Sequence, residues 1–84
     1  MSVSFIGEDS YSLDLNVGLA SRILRAIGYN VTEETCGSMI IPSAEAGILL
    51  ARLTLNTDDI KYLDYLEELV KELKAAGRSE LTWQ

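Results

Sequence analysis

Both ends of this chain alternate polar and apolar side chains, and that pattern narrows the folds open to it. Residues 2–6 read SVSFI, residues 11–15 read YSLDL, and the tail at 79–83 reads SELTW. Successive side chains of a strand point to opposite faces, so each segment has one face to bury and one for water. The turn-forming GEDS at 7–10 joins the first two into a hairpin that bends near Gly7 to Ser10. Leu81 and Trp83 fall on one face of the tail strand, which is expected beside that hairpin.

Between the strands the period changes to that of a helix. Asn16 is a good N-cap for a helix to about Ile27, with Ala20, Ile23, Leu24 and Ile27 in one apolar stripe. Arg22 and Arg25 project elsewhere, and Gly28 stands where a left-handed residue closes a helix. A polar loop runs through Thr35. Gly37 is then expected to set the turn that sends Met39, Ile40 and Ile41 into the core. Pro42, with Ser43 as cap, opens a second helix over 43–55. That helix, SAEAGILLARLTL, is apolar nearly all round, with Glu45 and Arg52 its only charges. A helix without a wet face is either central in a core or part of an interface. In 84 residues full burial of one helix is hard, which raises the expectation of a homo-oligomer through helix 43–55.

Thr57 is placed to cap a third helix from Asp58 to about Ala76, stopped by Gly77. Leu63, Leu66, Val70 and Leu73 form its stripe, widened by Ile60, Tyr62 and Leu69. Asp58 and Asp59 suit the positive end of the helix dipole, Lys71 and Lys74 the negative end, and Glu67 with Lys71 has the favourable i, i+4 order. The expected fold is α+β: a small antiparallel sheet, made of the N-terminal hairpin and the C-terminal strand, packed by three helices. No linker or internal repeat divides the chain, so residues 1–84 form a single compact domain.

The side-chain inventory excludes much chemistry. There is no histidine, which removes Ser-His-Asp and Cys-His catalysis and every imidazole zinc site. A single cysteine forms no internal disulfide and no thiolate metal cluster, so no metal or other cofactor is expected. Cys36 is followed by Gly37 and Ser38, as a nucleophile at a turn would be, yet Glu33 and Glu34 stand where a reactive thiolate needs cations. It is read as a small, partly buried residue. The adjacent acid pairs do not converge across a cleft as a glycosidase requires, and no calcium loop or phosphate loop is present. Thirteen acids against seven bases give a net charge of −6, which argues against direct nucleic-acid binding. No apolar run is long enough for a membrane span and the N-terminus has no basic n-region, so a cytoplasmic protein is expected. Residues 30–32, Asn-Val-Thr, form an N-glycosylation acceptor only in name in such a compartment.

What remains is an acidic band with embedded tyrosines on the third helix: Asp58, Asp59, Tyr62, Asp64, Tyr65, Glu68 and Glu72. Tyrosine brings large area and a hydroxyl to an interface at low entropic cost. Asp58, Tyr62, Asp64, Tyr65, Glu68 and Glu72 are therefore the candidate partner-binding residues, and the partner expected is another protein with a basic surface. Such a chain would act without catalysis, as an inhibitor or immunity-type protein of a phage or mobile element. The rival expectation is a homo-oligomeric ligand-sequestering protein or small enzyme with Arg52 lining an intersubunit pocket, because an arginine in so apolar a helix needs an anion or carbonyls.

The stretches LNVGLASRILRAIGY, CGSMIIPSAEAGILLARL and LTWQ resemble a broad group of small uncharacterised bacterial and phage proteins. These share an Asn-started helix with an aliphatic-Gly cap and a short apolar helix ending near an arginine. The resemblance covers about half the chain. It implies an α+β module in which Asn16, Gly28, Gly37 and Arg52 are scaffold positions.

Overall fold

The computed structural model describes residues 1–31 and 36–84. Glu33, Glu34 and Thr32, which entered the readings of Cys36 and of the acceptor sequence, lie outside them. The elements run β1 (Ser2–Ile6), β2 (Ser12–Asn16), α1 (Val17–Ala26), β3 (Gly37–Ile40), α2 (Ile41–Thr54), α3 (Thr57–Ala75) and β4 (Glu80–Trp83). All strand pairings are antiparallel and the sheet order is β2-β1-β4-β3. This is the α+β fold expected, with residues 37–40 added as an edge strand.

Register follows from alternation. Val3 lies opposite Leu15, Phe5 opposite Leu13 and Trp83, and Met39 opposite Leu81. These side chains share the face that the helices cover, and Val3, Phe5, Leu15, Leu81 and Trp83 are buried. Ser4, Asp14, Ser38, Glu80 and Thr82 fall on the opposite face, where the Ser4 hydroxyl donates to Asp14 across the strands at 2.5 Å. A one-residue slip would turn Phe5 and Trp83 to water, so burial fixes the pairing. Trp83 packs 5.8 Å from the Phe5 ring and edge-on to Tyr29 at 4.8 Å.

The hairpin turn is tighter than its sequence suggests. Tyr11 N–H donates to Glu8 C=O at 2.9 Å, and Asp9 and Ser10 between them have φ of 52° and 66°. Two left-handed central residues make a type I′ turn, whose twist matches the flanking strands. β2 consequently begins at Ser12, one residue beyond the expected start, and Tyr11 belongs to the turn.

Asn16 caps α1 as expected, its side chain accepting from Leu19 N–H at 2.8 Å. Both α1 and α3 close in the same way. Tyr29 N–H reaches Leu24 C=O and Gly28 N–H reaches Arg25 C=O, and Arg78 with Gly77 repeat the pair on Leu73 and Lys74. Gly28 (φ 101°) and Gly77 (φ 78°) supply the left-handed residue of these Schellman closures.

The start of α2 differs from expectation. It begins at Ile41, not Ser43, and has no side-chain cap. Ile41 N–H still donates to Ser79 C=O at 2.9 Å, so the sheet ladder satisfies one donor that a capping side chain would otherwise take. Pro42, which has no N–H to lose, occupies the first turn. The cap of α3 is Asn56 rather than Thr57, because Asn56 Oδ1 accepts from Asp59 N–H at 3.0 Å.

Two glycines let layers approach closely. A Cβ on Gly47 would stand 2.3 Å from Ile27 C=O, so α2 lies against the end of α1 with no room for a side chain. Gly37 is a strand residue rather than a turn residue. A Cβ there would meet the Tyr29 hydroxyl at 2.6 Å and Trp83 Cζ2 at 2.9 Å, so what it provides is space for the aromatic pair.

Candidate functional site

α3 buries Asp59, Leu63, Leu66, Leu69, Val70 and Leu73, which leaves two outward flanks. One leans on α2 and the other looks away from it, and the candidate residues divide between them. Asp58, Glu68 and Glu72 are exposed and Tyr65 keeps 53% of its surface in water. Tyr65, Glu68 and Glu72 recur at i, i+3, i+7, one outward stripe on the side away from α2. Tyr62 is half-buried against the core, its ring 6.3 Å from that of Tyr65 and 5.0 Å from the Lys61 ammonium. Asp64 lies on the other flank, 2.7 Å from Arg52 Nη1. The band that is continuous in sequence is therefore two groups in space.

The outward stripe meets residues that linear reading left out. Glu72, Ala75 and Ala76 form an open groove of about 580 Å³ with Glu8, Asp9 and Tyr11 of the β1–β2 turn. Tyr11 folds back over Gly7, where a Cβ would touch its ring at 2.8 Å. The result is an acidic edge built by a helix and a hairpin tip, carrying Tyr65 and Tyr11. Arg78 borders it, its Nε 2.7 Å from Glu8 Oε1 without the alignment of a hydrogen bond.

Asp59 has a role different from dipole complementation. It is the buried acid of the described residues, 4% exposed, and Arg22 of α1 reaches it in a fork: Nε to Oδ2 at 2.8 Å and Nη2 to Oδ1 at 3.2 Å. Asn56 Nδ2 adds a donor at 3.3 Å. The Arg22 hydrogen bonds hold the Asp59 carboxyl below its usual range, against the upward push of burial. The reciprocal bond raises Arg22 further above its ordinary value. The pair clasps α1 to α3.

Arg52 also finds carboxylates, but at the surface: Asp64 at 2.7 Å and Glu67 Oε2 at 3.1 Å. The hydrogen bonds Arg52 donates to Asp64 and then Glu67 raise its pKa, and Arg52 in turn lowers that of Glu67. Its guanidinium is engaged within the chain by these two carboxylates. Lys74 reaches Glu45 at 3.2 Å along the same α2–α3 seam. Cys36 is exposed rather than partly buried. The chain reaches β3 through it at the sheet edge, beyond the cover of the helices. Among the described residues no group of three or more metal-ligating side chains is gathered, and no helix is long and apolar enough to cross a membrane.

The last feature is the outer side of α2. Ile41, Ala44, Gly47, Ile48 and Ala51 are buried, while Leu49, Leu50 and Leu53 are 67%, 63% and 83% exposed. With exposed Ala46 they recur at i, i+3, i+4, i+7, directly opposite the core stripe.

The fold is an open-faced α+β sandwich with a bare polar sheet face, an acidic tyrosine-bearing edge and an uncovered apolar helix. No protein-family model, curated protein or solved structure matches the chain.

Proposed function

We propose that this protein is a non-enzymatic binding module of the inhibitor or immunity type, which occludes a basic surface on another protein. The observation that carries the reading is the groove in which Glu72, the last residue of the outward stripe of Tyr65, Glu68 and Glu72, meets Glu8, Asp9 and Tyr11 of the hairpin turn. Acids on two separate elements converge on one edge, and the tyrosines give it area that charge alone lacks. Opposite charge across such an edge speeds encounter and rejects like-charged partners, with little demand for a cleft or catalytic group. Asp58 extends the edge toward the start of α3; Asp64 is committed to Arg52 and Tyr62 to the core. The ligand-sequestering alternative draws less support, because Arg52 already holds two carboxylates.

The test is paired charge reversal. Glu68→Lys with Glu72→Lys, and Asp14→Lys with Glu80→Lys on the bare sheet face, each change two charges by two units, from −6 to −2. With an oligolysine peptide as probe at low salt, the first pair should weaken binding at least tenfold and the second far less. Equal weakening by both pairs would reduce the effect to net charge and end this reading.

A further inference from the structure

We infer that Arg78 is a displaceable latch on the acidic edge, holding at Glu8 the place that an arginine side chain of the bound partner takes. The inference rests on the reading of that edge as the partner-binding surface; it adds which side chain the edge selects and what must move to admit it.

Glu8 is the least exposed acid of the edge. Its side chain keeps 22% of its surface, and Oε1 is buried without accepting a hydrogen bond, although Arg78 Nε stands 2.7 Å away. A buried carboxylate oxygen in that state is destabilising, so a donor that approaches with better alignment is favoured. Arg78 is held loosely by comparison. Its backbone is fixed, because Arg78 N–H closes α3 on Leu73 C=O at 3.0 Å, but its side chain is 63% exposed. An ion pair with so wet a cation contributes little, and the side chain can swing out while the main chain stays in place.

The pair stands between two hollows. Glu8 lines the groove of about 580 Å³ with Tyr11 and Glu72, and Arg78 lines a second of about 220 Å³ with Glu80 and Thr82. Among the described residues Arg78 is the one base lining either. Swung outward, it uncovers Glu8 Oε1 and leaves Glu8, Glu72 and Glu80 with no base among them. What leaves Glu8 is a guanidinium, so a guanidinium fits the place. A planar fork can supply both carboxylate oxygens at once, where an ammonium meets them as a point charge. The exposed ring of Tyr11 offers that plane a stacking surface, and Ala75 and Ala76 give the methylene stem an apolar floor. The edge therefore prefers arginine to lysine.

Calorimetric titration with oligoarginine and oligolysine of equal length, at low salt, tests this. Arg78→Gln should bind oligoarginine about threefold to fivefold more tightly than the native chain, the amount a surface ion pair withholds. Lys74→Gln is the matched control. Lys74 is also 63% exposed and paired with one acid, Glu45, and its loss likewise takes the net charge from −6 to −7. Its gain should stay below about twofold. In a Glu8→Gln background, Arg78→Gln should gain no more than Lys74→Gln does, because the latch has nothing to hold. The gain from Arg78→Gln should also be larger for oligoarginine than for oligolysine. Equal gains from Arg78→Gln and Lys74→Gln, or an undiminished gain in the Glu8→Gln background, overturn the latch and leave the edge itself standing. Equal gains for the two peptides overturn the arginine preference. If the native chain and Arg78→Gln both fail to bind either peptide, the reading of the edge falls and the latch with it.

Discussion

α2 and α3 are joined by two residues and bury similar aliphatic stripes, yet they show water opposite things. α3 shows acids, lysines and tyrosines, the ordinary wet face of an amphipathic helix. α2 shows leucines. Burial in the core explains the inner half of each helix and neither outer half, so the outer halves carry the information about what the molecule meets. One presents charge and tyrosine, the other bare apolar area.

The largest effect should come from crossing the inner and outer sides of α2. Gly47→Ala puts a methyl where Ile27 C=O stands at 2.3 Å, backbone against backbone, and should cost about 3 kcal/mol in urea denaturation. Leu50→Glu, one turn away on the outside, should change monomer stability by about 0.5 kcal/mol or less. A large loss at Leu50 would mean that the stripe is covered within the chain.

The clasp between α1 and α3 should give the next effect, through pH. Asp59 and Glu67 ionise below their ordinary values of 3.8 and 4.5, Asp59 because of Arg22 and Glu67 because of Arg52. A depressed carboxyl stabilises the fold above its unfolded pKa and loses that contribution as pH falls through the lower folded value. Stability should therefore decline below about pH 4. Asp59→Asn should be less stable at neutral pH and show a flatter decline in acid than the native chain.

Asn16→Ala should cost about 1 kcal/mol, since it removes the cap on Leu19 N–H. The smallest effect has the opposite sign. Ser10→Gly should stabilise by about 0.5–1 kcal/mol, because Ser10 holds φ 66° at a position where glycine is unstrained. Thermal melts resolve both, and no gain at Ser10 would argue against the turn that carries Asp9 and Tyr11 to the acidic edge.

Strand alternation, the α1 stripe and the glycine closures were legible in the sequence because each is local. The start of α2 was not, since its first donor is met by Ser79 from the other end of the chain. Gly37 read as a turn because the rings it admits, Tyr29 and Trp83, are distant in sequence. Asp59 looked like Asp58, its neighbour at the helix start, and only the packing of α1 places Arg22 on one and water on the other. Half of the acidic edge was readable on α3; Glu8, Asp9 and Tyr11 joined it through the hairpin. The dry outer face of α2 was readable as a surplus of apolar residues, though not which of them would be left outside.

The division of labour between the two helices is tested most directly by amide chemical-shift mapping of the chain, titrated with oligolysine at low salt. The account predicts shifts at Glu8 to Tyr11 and from Tyr65 to Ala76, with Ala46 to Leu53 of α2 unmoved. Shifts centred on α2, or spread evenly over every exposed acid including Asp14 and Glu80, would contradict it.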